Sequence, residues 1–286
     1  MSEKNTYEDA INVAAVNFHA LPGDKEANLK KIEDFMDRSA DKGVDLIVFP
    51  EVALTGYGLS PEQALDIAEE IPGPSTERIM DIAAKCQLHI VFGMPEKGGS
   101  DKIYNTAPFI TPDGILGRYR KVHIPPIEPW ASPGDEYPVF DTKFGPIAIG
   151  ICWEEYCFPE VPRIYALKGA RLLINITATP DFGNMEDTRE STLGQLKARV
   201  HENGYFIVSA DLVGPEGDTT FVGYSAILGP KPDLMMPQVY AGPASSTEDE
   251  MLFATLDLSF ATRKPPGLAH IFENRQPHTY SPLVSG

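Results

Sequence analysis

Apolar positions along this chain follow two rhythms, one helical and one strand-like, and their alternation predicts an α/β fold. Residues 11–18 are a near-continuous apolar run, as in a buried strand. Leu29, Ile32, Phe35, Met36 and Ala40 then recur at helical spacing, and Gly43 stops that helix. Residues 44–49 are rich in β-branched and aromatic side chains and end at Pro50, so they read as a second strand. Strand, helix, strand in that order predicts a parallel pair. A further helix is expected to begin with Ser75 as N-cap, with Ile79, Ile82, Ala83 and Cys86 on one face. That spacing makes Cys86 a packing residue.

Residues 89–94 read as the next strand. Two hairpins follow, 104–110 with 115–121 around Pro112-Asp113-Gly114, and 137–140 with 147–151 around residues 141–145. The pattern then predicts a helix over 159–168, a strand over 171–177, a long amphipathic helix over 185–203, and strands over 205–210, 223–228 and 252–258. No long polar linker interrupts the series, so residues 1–260 are expected to form one domain. Residues 261–286 are Pro-rich and aperiodic, an extended tail of the same domain or one that packs on a neighbouring subunit.

Composition narrows the function classes. Of 286 residues, 42% are hydrophobic, which supplies a large core, and the formal net charge is −17. Such a surface repels nucleic acid and anionic membranes, and no basic patch interleaved with aromatics offsets it, so neither is an expected partner. The opening MSEKNTYEDA is polar and acidic, unlike a secretory signal, and the longest apolar runs are strand-sized. Three cysteines at irregular spacing form no disulfide framework, and no Cys or His spacing suits zinc. The expectation is a cytoplasmic protein with no cofactor and no metal.

Three segments place a reactive side chain directly after an apolar strand. They are Phe49-Pro50-Glu51, Arg120-Lys121-Val122-His123, and Gly150-Ile151-Cys152-Trp153-Glu154. In α/β sheets the strand ends gather at one edge, where sites form. A thiolate attacks an acyl carbon, a carboxylate can take the thiol proton, and an ammonium with a backbone N–H can hold the developing oxyanion.

Together with Pro133-Gly134-Asp135, residues 198–203 and Gly223-Tyr224-Ser225, these segments resemble, in order, the nitrilase superfamily of carbon–nitrogen hydrolases. The resemblance spans about residues 10 to 258. It implies a four-layer α-β-β-α sandwich, often paired into homodimers or larger assemblies. It also implies Glu51 as general base, Lys121 as oxyanion stabiliser, Cys152 as nucleophile and the Trp153 N–H as second oxyanion donor. Many members carry a second glutamate seven positions after the lysine; 128 − 121 = 7, which makes Glu128 the fourth catalytic candidate. One departure stands out. The Phe-Pro-Glu that many amidase members place five positions after the nucleophile lies six after it here, since 158 − 152 = 6.

Substrate contacts are expected from Trp153, Glu154, Tyr57, Trp130 and Thr177, with Tyr156, Phe182 and Tyr205 as further pocket candidates. The positions just after the nucleophile hold Glu154, Glu155 and Tyr156 where an arginine would grip an anionic substrate. The resemblance therefore implies an amidase acting on a neutral or cationic amide. The alternatives are a nitrilase, which the Cys152-Trp153-Glu154 run also suits, an N-carbamoyl-amine amidohydrolase, and a non-catalytic binding subunit on the same fold. A Cys–His protease with His123 or His201 as base lacks its sequence context around Cys152. Gly56-Tyr57-Gly58 follows Glu51 and opens no helix, so it is not expected to hold a phosphate.

Overall fold

The computed structural model describes residues 7–99, 101–232, 236–261 and 271–284. The continuous apolar run near the N-terminus becomes the strand Ala10–Asn17, which is buried on both faces. Side chains alternate across a strand, so its residues serve two cores. Ala14 and Val16 face the helices Lys25–Ala40 and Pro74–Cys86, meeting Ile32, Phe35 and Ile79. Val13 and Ala15 face a second sheet and pack with Ile149, Ile174 and Val208.

The first sheet has the order 250–257, 10–17, 46–48, 89–91, 103–111, 94–97, and strand Gly114–Arg120 adds to Ile103–Thr111. Ala10–Asn17, Leu46–Val48 and His89–Val91 run parallel, as the strand–helix–strand opening predicts. The second sheet has the order 237–241, 226–230, 206–211, 172–177, 145–151, 139–142, with a parallel centre. Its outer face packs Ala148, Leu173 and Ile207 against Tyr165 of helix Glu160–Leu167 and Leu196 and Val200 of helix Met185–Asn203. The layers are therefore helix, sheet, sheet, helix, as expected.

Several local expectations differ from what is found. The second helix is capped by Gly73, not Ser75, because Pro74 supplies its first residue with a preset φ. Ser75 instead gives its N–H and hydroxyl to the buried Glu69 carboxylate, 2.8 and 2.9 Å away. The apolar run over 89–94 splits at Phe92-Gly93, and a separate strand, Met94–Lys97, follows. Additional elements are the helix Pro61–Ile67, closed by a Ser60–Gln63 capping box, the edge strand Pro237–Ala241, and a hairpin of Val213–Glu216 with Thr219–Val222. In the tail, residues 262–270 lie outside the described residues. Residues 271–284 form turns and two short 3-10 segments instead of an extended run, and Arg163 stands 5.1 Å over the Phe272 ring.

Candidate active site

Three strand ends deliver the reactive groups to one place. Glu51 follows the strand Leu46–Val48 in a tight turn that packs on Gly93. A Cβ at Gly93 would lie 2.1 Å from the Val52 nitrogen, so only glycine lets this turn close. Gly93 also gives its N–H to Pro50 O and accepts at its carbonyl from Leu54 N. Lys121 follows Gly114–Arg120, with its N–H on Asn105 O and its carbonyl accepting from Gly134 N, both at 2.8 Å. Cys152 follows Gly145–Ile151 with φ 54°, an uncommon backbone state for a residue with a side chain, worth about 1–3 kcal/mol of strain. Its N–H is fixed on Ile176 O of the neighbouring strand at 2.8 Å.

Lys121, Glu51 and Glu128 are fully buried together. The Lys121 ammonium donates to Glu51 Oε1 at 2.7 Å and to Glu128 Oε1 at 2.5 Å. Asn105 Nδ2 donates to Glu51 Oε1 at 2.7 Å and Glu128 Oε2 at 3.0 Å, and the Tyr57 hydroxyl donates to Glu128 Oε1 at 2.9 Å. The Cys152 thiol contacts Glu51, the Thr177 side chain and the Ala178 backbone N–H.

These surroundings set the protonation states. Burial pushes the Glu51 carboxyl up to about 7; the Lys121 ammonium opposes this, and the Glu128 charge adds to it. Burial and then the Glu51 charge raise the Cys152 thiol well above its ordinary 9.0, and Lys121, Thr177 and Ala178 offset only part of that. Burial works against the Lys121 ammonium, but the two carboxylates outweigh it and hold the charge firmly. At rest the sulfur keeps its proton, and a carboxyl that titrates near neutrality stands beside it.

Cys152 opens into a cavity of about 320 Å³. Tyr57, Trp153 and Tyr156 line it, with Ile127, Cys157 and the exposed Phe182. One face of helix Met185–Asn203 supplies Thr188, Ser191, Thr192 and Gln195. Among the described residues, no charged side chain lines it.

Not every candidate is drawn into this centre. Tyr57 and Trp153 line the cavity; Thr177 is fully buried outside the lining and contacts the thiol. Trp130 lies in the apolar cluster between helices and first sheet and is not part of the cavity lining. Glu154 is also outside it, fully buried, accepting from the Tyr119 hydroxyl at 2.8 Å and from the Val122 and His123 N–H groups at 3.0 Å. It ties the segment after Lys121 to the helix after Cys152. Tyr205 is buried in the core beneath the second sheet. His123 is engaged by Glu154 and stacks on Phe158 at 3.9 Å, and His201 is exposed on its helix, so neither histidine serves the thiol. Asn105 escaped the motif reading. Its signal was an amide inside an otherwise apolar strand, a place where asparagine is disfavoured unless its hydrogen bonds are used.

The sequence model of the carbon-nitrogen hydrolase family matches residues 12–265. The chain belongs to this family. Among its relatives, a probable nitrilase of Schizosaccharomyces pombe is 34% identical over 283 residues, covering 96% of this chain and 98% of its own. A nitrilase of Pyrococcus abyssi is 34% identical, covering 94% and 99%. A carbon-nitrogen hydrolase of Helicobacter pylori superimposes with a TM-score of 0.86 at 24% identity, covering 97% of this chain and 99% of that one, a likeness of fold. A carbon–nitrogen hydrolase of this family is an enzyme acting on carbon–nitrogen bonds other than peptide bonds.

Proposed function

We propose that the protein hydrolyses a small neutral amide through a thioester on Cys152. The observation that carries this reading is the buried Glu51–Lys121–Glu128 array beside the Cys152 thiol, at a cavity free of charged lining. Glu51 takes the Sγ proton as sulfur attacks the carbonyl carbon. The oxyanion is met by the Lys121 ammonium and the N–H of Trp153, the first residue of the helix Trp153–Cys157. Glu51 returns the proton to the departing nitrogen, the tetrahedral intermediate collapses, and ammonia or an amine leaves. Water, deprotonated by Glu51, then attacks the thioester carbon; the carboxylate product departs and sulfur recovers its proton.

Lys121 would have little freedom to wander, because Glu128 and Glu51 hold it from two sides, and Glu128 is held in turn by Tyr57 and Asn105. The neutral lining and the removal of Glu154 into the scaffold support a neutral substrate over a cationic one. A cavity of about 320 Å³ has room for an acyl chain longer than acetyl.

The names of the S. pombe and P. abyssi relatives favour a second reading, hydrolysis of a nitrile. Sulfur would add to the nitrile carbon, water would add to the thioimidate, and loss of ammonia would lead to the same thioester. Purified protein incubated with matched aliphatic amides and nitriles, with ammonia and carboxylate quantified, tests both. Ammonia from amides alone supports the first reading, turnover of nitriles supports the second, and an inert protein overturns both.

A further inference from the structure

Tyr57 lines the cavity and also bonds the buried charge array, through its hydroxyl on Glu128 Oε1 at 2.9 Å. Yet it sits in a loop, residues 51–60, with no helix or strand to fix it. Its fixation comes from the hairpin Val213–Glu216 with Thr219–Val222. The Glu216 carboxylate accepts from the Tyr57 N–H at 2.9 and 3.0 Å and from the Gly58 N–H at 2.7 Å. Consecutive backbone N–H groups converging on one anion form a nest, and a charged acceptor makes each bond stronger than a neutral one.

The two glycines make room for it. A Cβ would come to 3.1 Å from Glu216 Oε1 at Gly56 and to 3.3 Å at Gly58, and Gly56 has φ +76° besides. The Gly-Tyr-Gly loop therefore does cradle an anion, and the anion is a side chain of the same molecule. Further along the hairpin, the Phe221 ring meets the Tyr57 ring edge-on with centroids 5.6 Å apart. The same strand is tied to the cavity-lining segment 178–182: Val222 N donates to Thr179 O at 2.9 Å, and Asp181 N donates to Thr220 O at 2.8 Å.

We infer that Glu216 is a positioning residue for the Cys152 site, setting where the Tyr57 hydroxyl meets Glu128 and, through Glu128, where the Lys121 ammonium stands. The inference rests on the hydrolase reading and deepens it. Glu216 touches neither the thiol nor the charge array; its influence runs through Tyr57. A residue that only braced the hairpin would matter equally whether or not the Tyr57 hydroxyl existed.

The test is a double-mutant cycle with a spectroscopic arm. Glu216→Ala in the full chain is expected to lower kcat about tenfold, the scale of a small misplacement of a catalytic group, with little change in KM. In a Tyr57→Phe background the same change is expected to cost less than about twofold, because the two sites couple. Glu216→Gln, which keeps one acceptor oxygen and the side-chain volume, is expected to fall between, and it carries the test should the alanine variant fold poorly. A 3-fluorotyrosine placed at Tyr57 gives a fluorine resonance that is expected to shift and broaden in either Glu216 variant. Equal losses in both backgrounds, no loss in either, or an unmoved resonance would each overturn the inference. The resonance does not depend on turnover, so a wild-type protein inert toward amides and nitriles would defeat the hydrolase reading while the fluorine signal still decides the role of Glu216.

Discussion

Replacing Glu51 with glutamine should move activity and stability in opposite directions. The glutamine is nearly isosteric, and its Oε1 can still accept from Lys121 and Asn105 where Glu51 Oε1 accepts at 2.7 Å from each. What disappears is the proposed base, so the rate should fall by about two to four orders of magnitude. Stability follows from the raised carboxyl. Glu51 titrates near 7 in the folded chain against an ordinary 4.5. A group raised on folding contributes its full stability below its unfolded value and loses it as pH climbs through the folded one. Wild type should therefore weaken from this group between pH 5 and 8, and the variant should not. The stability difference, variant minus wild type, is expected to grow by about 2–3 kcal/mol across that range. Urea unfolding at both pH values measures it, and the acid limb of kcat/KM for wild type should lie near 7. A stability difference independent of pH would mean that Glu51 titrates as an ordinary carboxylate, and the protonation argument would fail.

Other substitutions probe neighbouring parts of the argument. Cys152→Ala should abolish turnover and leave a cooperatively folded protein by calorimetry; retained turnover would remove the thiol from the mechanism. Lys121→Met should cost at least about 2.7 kcal/mol of transition-state stabilisation. It should also lower stability by about 3–5 kcal/mol at pH 8, less at pH 5 where the two stranded carboxylates can protonate. Gly93→Ala, whose Cβ would press on the Val52 nitrogen at 2.1 Å, should cost about 3 kcal/mol or more and displace Glu51, seen as loss of both melting temperature and activity. Gly194→Ala, in the long helix with nothing within 4 Å of the new Cβ, should instead stabilise by about 0.5–1 kcal/mol in the same melting experiment.

The layered architecture was legible because its central strands are buried on both faces and write unbroken apolar runs, as in residues 11–18 and 147–151. Glu51 and Cys152 stood out as candidates for a related reason, each following such a run; Lys121 follows a half-buried strand, Gly114–Arg120, and stood out through the family resemblance, as did Glu128 seven positions on. Side-chain direction in the connecting turns was not legible. No periodicity operates there, so Trp130 and Glu154 looked like pocket residues although one packs in the core and the other ties two loops together. The hairpin at residues 213–222 has no alternation to announce it, being short and interrupted by Gly214, Pro215 and Gly217. The Glu216 bond to Tyr57 spans 159 positions and belongs to tertiary structure alone.

The neutral lining of the cavity bears on how the reaction ends. On the proposed reaction, a carboxylic acid formed there is an anion at neutral pH, and the Lys121 ammonium is already shared between two carboxylates. The chain around it carries a net charge of −17, so an anionic product would meet a field that drives it outward, while a neutral amide, as proposed, would feel little of it. Release of the acid is thus electrostatically downhill, and accumulated product should be a poor competitor for the vacated pocket.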